Sequence, residues 1–186
     1  MTLPDSRIAL SLEFCMPSAE TFSMRPVRSF VQKYLATSKV SVDPFARNNP
    51  WATYTNDINP ETSALYHMDA QAFCVKLATL EIYADLGIFD PPYSPRQISE
   101  CYRAAGISVT ANDTQNARLY KRTRDALDCL IKPGGIVLSF GWNTNGMGKS
   151  RGYEIIEIAL VAHGGAHNDT ICMAERKLNT ASEAAE

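Results

Sequence analysis

The stretch DLGIFDPPYSPRQ, Asp85 to Gln97, ends an apolar run in a carboxylate, two prolines and a tyrosine. Asp90 is an acceptor, Pro91 and Pro92 present carbonyls without a competing N–H, and Tyr93 adds an aromatic face. Together these are the parts of a grip for a flat polar group. An Asp-Pro turn that merely stops a strand uses the same residues, because proline fixes φ and ends pairing. The surrounding sequence decides between the two.

Three more acids close apolar runs upstream: Asp43 in VSVDPF, Asp57 in WATYTNDINP and Asp69 after TSALYHM. One such residue reads by default as a helix cap. In an open doubly wound sheet, however, ligands bind outside the carboxyl ends of the strands, and four acids in series would all reach that edge.

The elements that would carry them follow from periodicity. In RPVRSFVQKYLATS, Val27, Phe30, Val31, Tyr34 and Leu35 recur at helical spacing behind Pro26. Strands are expected at VSVDPF and at the run ending in Asp57. A short helix follows in PETSAL, then a brief strand at Tyr66 to Met68, a helix from Ala70 to Leu80 and a buried strand from Asp85 to Phe89. SPRQISECYRAAG reads as a helix stopped by Gly106, and Leu119, Tyr120, Ala126, Leu127, Leu130 and Ile131 mark the next one. KPGG turns into the strand IVLSFGW. YEIIEIALVAH and NDTICMAERKL, joined by GGAH, are too close for a crossover and pair as an antiparallel hairpin. The expected fold class is α/β, an open and mostly parallel sheet with that hairpin as its reversed edge. Residues 1–178 read as one domain and 179–186 as a frayed tail.

Composition narrows the function classes. At 186 residues, 45% hydrophobic and 20% charged, the chain suits a single globular domain. A formal charge of −2 gives no global field for a polyanion, so any nucleic-acid contact must be local. Five scattered cysteines without a C-x-x-C suggest neither a disulfide framework nor a zinc site, and fit a reducing cytoplasm. No leader or membrane span is expected, because Glu154 and Glu157 interrupt the most apolar later run. His67, His163 and His167 share no metal-ligand spacing with the cysteines, and Trp51 and Trp142 read as packing residues, the latter bordering the grip.

In this order the motifs resemble the S-adenosylmethionine-dependent amino-group methyltransferases, in particular the bacterial and phage adenine-N6 DNA methyltransferases with a DPPY motif. The resemblance runs from about Met24 to Lys177 and rests on DPPY at Asp90 to Tyr93, VDPFARN at Val42 to Asn48, NDINP at Asn56 to Pro60 and KPGGIVL at Lys132 to Leu138. It implies a Rossmann-like methyltransferase sheet with S-adenosylmethionine as cofactor. Asp43, Pro44, Phe45 and Ala46 would hold its methionine part, Asp57 with Ile58 the ribose, and Asp69 with Ala70 the adenine. The segment at Arg25 is similar to one that touches the methionine carboxylate. Asp90, Pro91, Pro92 and Tyr93 would then be catalytic, holding an extruded base for direct methyl transfer. Sulfonium is already a good leaving group, so acceptors and alignment suffice, and no metal is expected.

The chain departs from the family in two places. After Phe45 the family has a glycine-rich turn and a helix; here ARNNPWATYTND has neither, so the first crossover must be a bare loop. Asn48 and Asn49 are the residues expected to take a left-handed turn, and Arg47 reads as an exposed loop residue, with contact to the cofactor carboxylate as the alternative. The sheet face left open is expected to be covered by a second protomer or another partner. No separate target-recognition region fits either. Lys121, Arg122, Arg124, Lys149 and Arg151 flank the strand ends and are the candidates for phosphate contact, although a basic helix face is by default only a solvated one. The leading expectation is DNA adenine methylation; RNA methylation at an exocyclic amine, and an inactive cofactor- or DNA-binding protein, stay open beside it.

Overall fold

The computed structural model describes residues 7–92, 95–106, 116–165 and 167–179. Tyr93 and the segment 180–186 lie outside the described residues. Strands β1 (Ala9–Phe14), β2 (Ser41–Asp43), β3 (Tyr54–Thr55), β4 (Ala84–Phe89), β5 (Ile131–Gly141), β6 (Tyr153–Ala162) and β7 (Thr170–Lys177) form one sheet in the order β1-β6-β7-β5-β4-β2-β3. The helices are α1 (Arg25–Leu35), α2 (Ala70–Thr79), α3 (Pro95–Ala104) and α4 (Asn116–Leu130).

Among these strands only β7 runs against the others, and it is inserted between β5 and β6. The reversed strand is therefore internal rather than an edge. The edge belongs instead to β1, which pairs parallel with β6 and which the apolar alternation of IALSLEF could have revealed. Two smaller expectations also fail. Pro60 and Glu61 form a turn instead of a helix, and Tyr66 makes a single parallel bridge to Asn56 instead of a strand. Between Asp57 and Asp69 the backbone is bound to its own side chains, Asn59 N–H to Asp57 Oδ1 and Glu61 N–H to Asn59 Oδ1, which competes with helix formation.

Both faces of the central strands are covered. On one side α1 lays Val27, Phe30, Val31 and Tyr34 over Leu86, Ile88, Leu138 and Phe140. On the other, α2, α3 and α4 bring Phe73, Leu77, Ile98 and Leu127 against Val42, Phe89 and Val137. The link from β2 to β3 has no helix, as expected, yet its face is not bare. Trp51 and Ala52 of that link pack into the α1 layer, and Phe22 meets Trp51 and Phe140 at 5.7 and 5.3 Å between ring centroids. The partner surface expected beside the short crossover is filled by the chain's own N-terminal segment. No helix among the described residues is long and apolar enough to cross a membrane.

Asp85 fixes the start of β4 against its neighbours. It accepts from Lys39 N–H at 3.1 Å, Val40 N–H at 3.0 Å and Lys132 Nζ at 2.9 Å. The bond from Lys132, with the two amides adding to it, holds its carboxyl below the ordinary carboxylate value. A depressed folded value means that its contribution is present above the unfolded carboxyl value of about 3.9 and disappears as the pH falls through the folded value. Thermal unfolding at pH 7 should therefore show Asp85→Asn melting below the unmodified protein, with the two curves converging below about pH 3. A gap in melting temperature independent of pH would remove this role.

Candidate active site

The parallel register places three strand ends side by side: Val42 with Tyr54, Asp43 with Thr55, and Val42 with Gly87. The chain beyond those ends encloses a cavity of about 430 Å³, a size that suits a cofactor or drug-sized ligand. Pro44, Phe45, Asp57, Ile58, Asp69, Ala70, Asp90, Pro91 and Pro92 all line it. Asp43 and Ala46 lie just behind this wall and are buried. Arg25 is not in the lining; Ala19 and Thr21 supply that wall instead. Tyr93 lies outside the described residues.

Asp43, Asp57 and Asp69 are each held by amide donors. Asp43 Oδ1 accepts from Phe45 N–H at 3.0 Å, closing the turn after β2. Its other oxygen, Oδ2, is buried and finds no partner among the described residues. Burial pushes the Asp43 carboxyl well above its usual value; the Phe45 amide opposes this, and the nearby charges of Asp90 and Asp57 add to it. Asp57 accepts from Asn59 N–H and from Arg47 N–H, at 2.8 and 3.1 Å. Asp69 caps α2, its Oδ1 taking Gln71 and Ala72 N–H, while Tyr102 Oη lies 3.5 Å from Oδ2. The capping expected of one isolated acid is thus real at Asp69, and the same residue still faces the cavity.

Two supporting residues escaped the sequence reading. Asn56 is fully buried and ties the loops together: its Nδ2 donates to the carbonyls of Pro44 and Met68, and its Oδ1 accepts from Met68 N–H. Its place directly before Asp57 was the only signal. Tyr120 donates its hydroxyl to the Pro92 carbonyl and sets its ring edge-on to Phe45 and Phe89, so α4 braces the turn that carries Asp90.

The basic candidates divide. Arg124 donates to the carbonyls of Tyr120, Asn145 and Gly146, and Arg151 to Asp125 and the Met147 carbonyl. These two guanidinium groups fasten the β5–β6 connection to α4 rather than facing solvent as expected. Lys121, Arg122 and Lys149 are exposed, Lys121 being paired with Asp125 at 2.7 Å. Among the described residues no group of three or more His, Cys, Asp or Glu side chains could hold a metal. His163 is structural: its ring contacts the Cys15 carbonyl and Thr170 Oγ1 at 2.6 and 2.8 Å, joining the end of β1 to the hairpin.

No protein-family model and no curated protein matches the sequence. Solved structures do resemble the fold. NodS, an N-methyltransferase from Bradyrhizobium japonicum, aligns over 82% of this chain and 94% of its own, with 9% identity and a TM-score of 0.52. TrmN from Thermus thermophilus aligns over 82% of this chain and 49% of its own, with 16% identity and a TM-score of 0.52. NSun6 from Pyrococcus horikoshii, solved with SFG, aligns over 79% and 50%, with 13% identity and a TM-score of 0.51. The chain spans about half the length of the last two, and of a Streptococcus mutans protein with the same fold and a TM-score of 0.55. It therefore has the Rossmann-like fold found in methyltransferases.

Asn56 should prove as important to that fold's loops as any core residue. Asn56→Ala leaves the Pro44 carbonyl and the Met68 amide buried without their partner, which should cost about 1–3 kcal/mol in chemical denaturation. A variant as stable as the original would show that the loops hold without it.

Proposed function

We propose that the protein transfers a methyl group from S-adenosylmethionine to the exocyclic amine of adenine in DNA. The observation that supports this most is the convergence of Asp57, Asp69, Asp90 and the Pro91–Pro92 turn on one cavity at the carboxyl ends of parallel strands. The fold is one that NodS shares, and a NodS structure is in complex with S-adenosyl-L-homocysteine.

The residues fit such a cofactor. Asp57 retains lone pairs for ribose hydroxyls, and Asp69 with the Ala70 amide stands where an adenine edge would be read. The buried, unpartnered Oδ2 of Asp43 suits the neighbourhood of a cationic group. When bound, S-adenosylmethionine supplies an electrophilic methyl whose sulfur leaves without acid or metal assistance. Asp90 would accept a hydrogen bond from one N–H of the target amine and the Pro91 carbonyl from the other, leaving the nitrogen lone pair free to take the methyl; the proton the nitrogen then sheds would pass through Asp90 to solvent. Tyr120 fixes this turn through the Pro92 carbonyl, and Tyr93 is assigned the stacking face for the extruded base. Lys121, Arg122 and Lys149 serve the phosphates. The free cysteines suit a reducing cytoplasm.

RNA is the second reading. It is favoured by the engagement of Arg124 and Arg151 within the fold, which leaves few cations for a duplex backbone. Against the inactive reading, Arg47 in the glycine-less loop takes the left-handed conformation that a glycine would favour, φ 50°.

Calorimetry with S-adenosylhomocysteine should detect binding, and Asp57→Ala should weaken it by about 1–3 kcal/mol. No binding to the unmodified protein ends the methyltransferase reading.

Chemistry should separate from binding at the clamp. Asp90→Ala should lower transfer by orders of magnitude, and Tyr120→Phe by roughly tenfold, about the net worth of one hydrogen bond, with cofactor affinity nearly unchanged in both. The readout is mass analysis of nucleic acid after expression in a methylation-free host. Methyladenine in DNA is expected; methylguanine in RNA would move the assignment to the second reading, and intact methylation in Asp90→Ala would reduce DPPY to a turn.

A further inference from the structure

The far end of the sheet carries a surface that the site does not use. Along β1, Leu10, Leu12 and Phe14 are 75, 59 and 77% exposed, with Ile8 and Met16 continuing the row at either end. Leu10 and Leu12 lie in register with Ile158 and Leu160 of β6, which are only partly buried. These positions alternate with Val161, which packs toward α1, so the row faces the opposite side of the sheet. There α2, α3 and α4 cover β4 and β5, and α4 reaches the start of β6 at Tyr153, but among the described residues no helix lies over β1 or over Ile158 and Leu160. The connection from β5 to β6 contains only a three-residue 3-10 turn, Lys149–Arg151. Among the described residues the result is an apolar sheet face without a second layer.

We propose that this face is the interface of a homodimer, in which two copies stack their β1–β6 ends face to face about a twofold axis. Size supports it. The five β1-row side chains expose roughly 600 Å², at the top of what a monomer's largest apolar patch usually reaches and near the ~800 Å² that one partner gives to a standard interface. Chemistry supports a second copy over a different protein. Leu10, Leu12, Phe14, Ile158 and Leu160 place no charge on the face, which suits the more apolar class that homodimer interfaces form, and offers no charge pattern by which another partner could be selected. An isologous contact also lets one patch supply both halves of the interface. Position agrees as well: β6, β7 and β5 separate β1 from β4, so both cavities stay open at opposite ends of the pair.

Sedimentation of the full chain at about 50 μM should give a dimer. Leu12→Glu and Phe14→Glu should each give a monomer with an unchanged far-UV spectrum. Should either variant misfold, Leu12→Cys gives an independent readout: its labelling by a thiol reagent should slow at least tenfold between dilute and concentrated protein. A monomeric wild type overturns the proposal. So does a dimer that survives both glutamates, concentration-independent labelling of Leu12→Cys, or flotation of the wild type with neutral phosphatidylcholine vesicles in place of self-association.

Discussion

The site depends on three short parallel strands ending at one level. β2 has three residues and β3 two, too few for ladder hydrogen bonds alone to fix their ends. Side chains complete the task. Asn56 joins the loop after β2 to the segment before α2, Thr53 exchanges hydrogen bonds with Ser41, and Asp85 anchors the residues leading into β2. Parallel alignment then has a chemical consequence, because every residue that ends a strand is delivered to the same edge. Four carboxylates gathered there repel one another unless each has a donor or a cation.

The molecule meets that repulsion unevenly. Asp57 and Asp69 are neutralised in part by amide N–H groups, which also aim them. Asp43 has one amide and full burial, so its charged form is disfavoured and ionisation there opposes folding. Its sign is opposite to that of Asp85: a raised folded value contributes stability at low pH that is lost as the pH rises. A structure chosen for stability alone would place an apolar residue at Asp43. Its retention beside Asp57 and Asp90 is physically reasonable if a cation completes the site.

Much of this was legible in the chain. Asp43, Asp57 and Asp90 stood at or just beyond strand ends because apolar runs led into them, while Asp69 proved a helix cap, and α1, α2 and α4 announced themselves by spacing. What escaped was whatever depended on distant partners. β1 carries clear alternation, but its place beside β6 is a pairing across more than 140 residues of chain. Tyr66 and Pro60 follow the local tendency of their neighbours only until side-chain hydrogen bonds from Asp57 and Asn59 take the backbone. Arg124 and Arg151 looked like solvent-facing cations because their acceptors, backbone carbonyls at 145 to 147 and Asp125, carry no sequence signature of pairing. Asn56 and Tyr120 likewise act through carbonyls, to which any residue contributes equally.

The loop after β2 makes its left-handed turn without a glycine. A left-handed non-glycine residue costs roughly 1–2 kcal/mol, and asparagine tolerates it best, yet Arg47 rather than Asn48 or Asn49 adopts it. Local preference is outweighed by what Arg47 reaches from that conformation. Its amide donates to Asp57, and its guanidinium bonds the Ala19 carbonyl at 2.9 Å and pairs with Glu20 at 3.0 Å. The ion pair is exposed and contributes little by itself. Its value is geometric, since it draws the 19–21 segment over the cavity where Ala19 and Thr21 form part of the wall. A glycine at position 47 would relieve the backbone and release that wall, so the strained residue and the N-terminal cover of the site are two aspects of one arrangement.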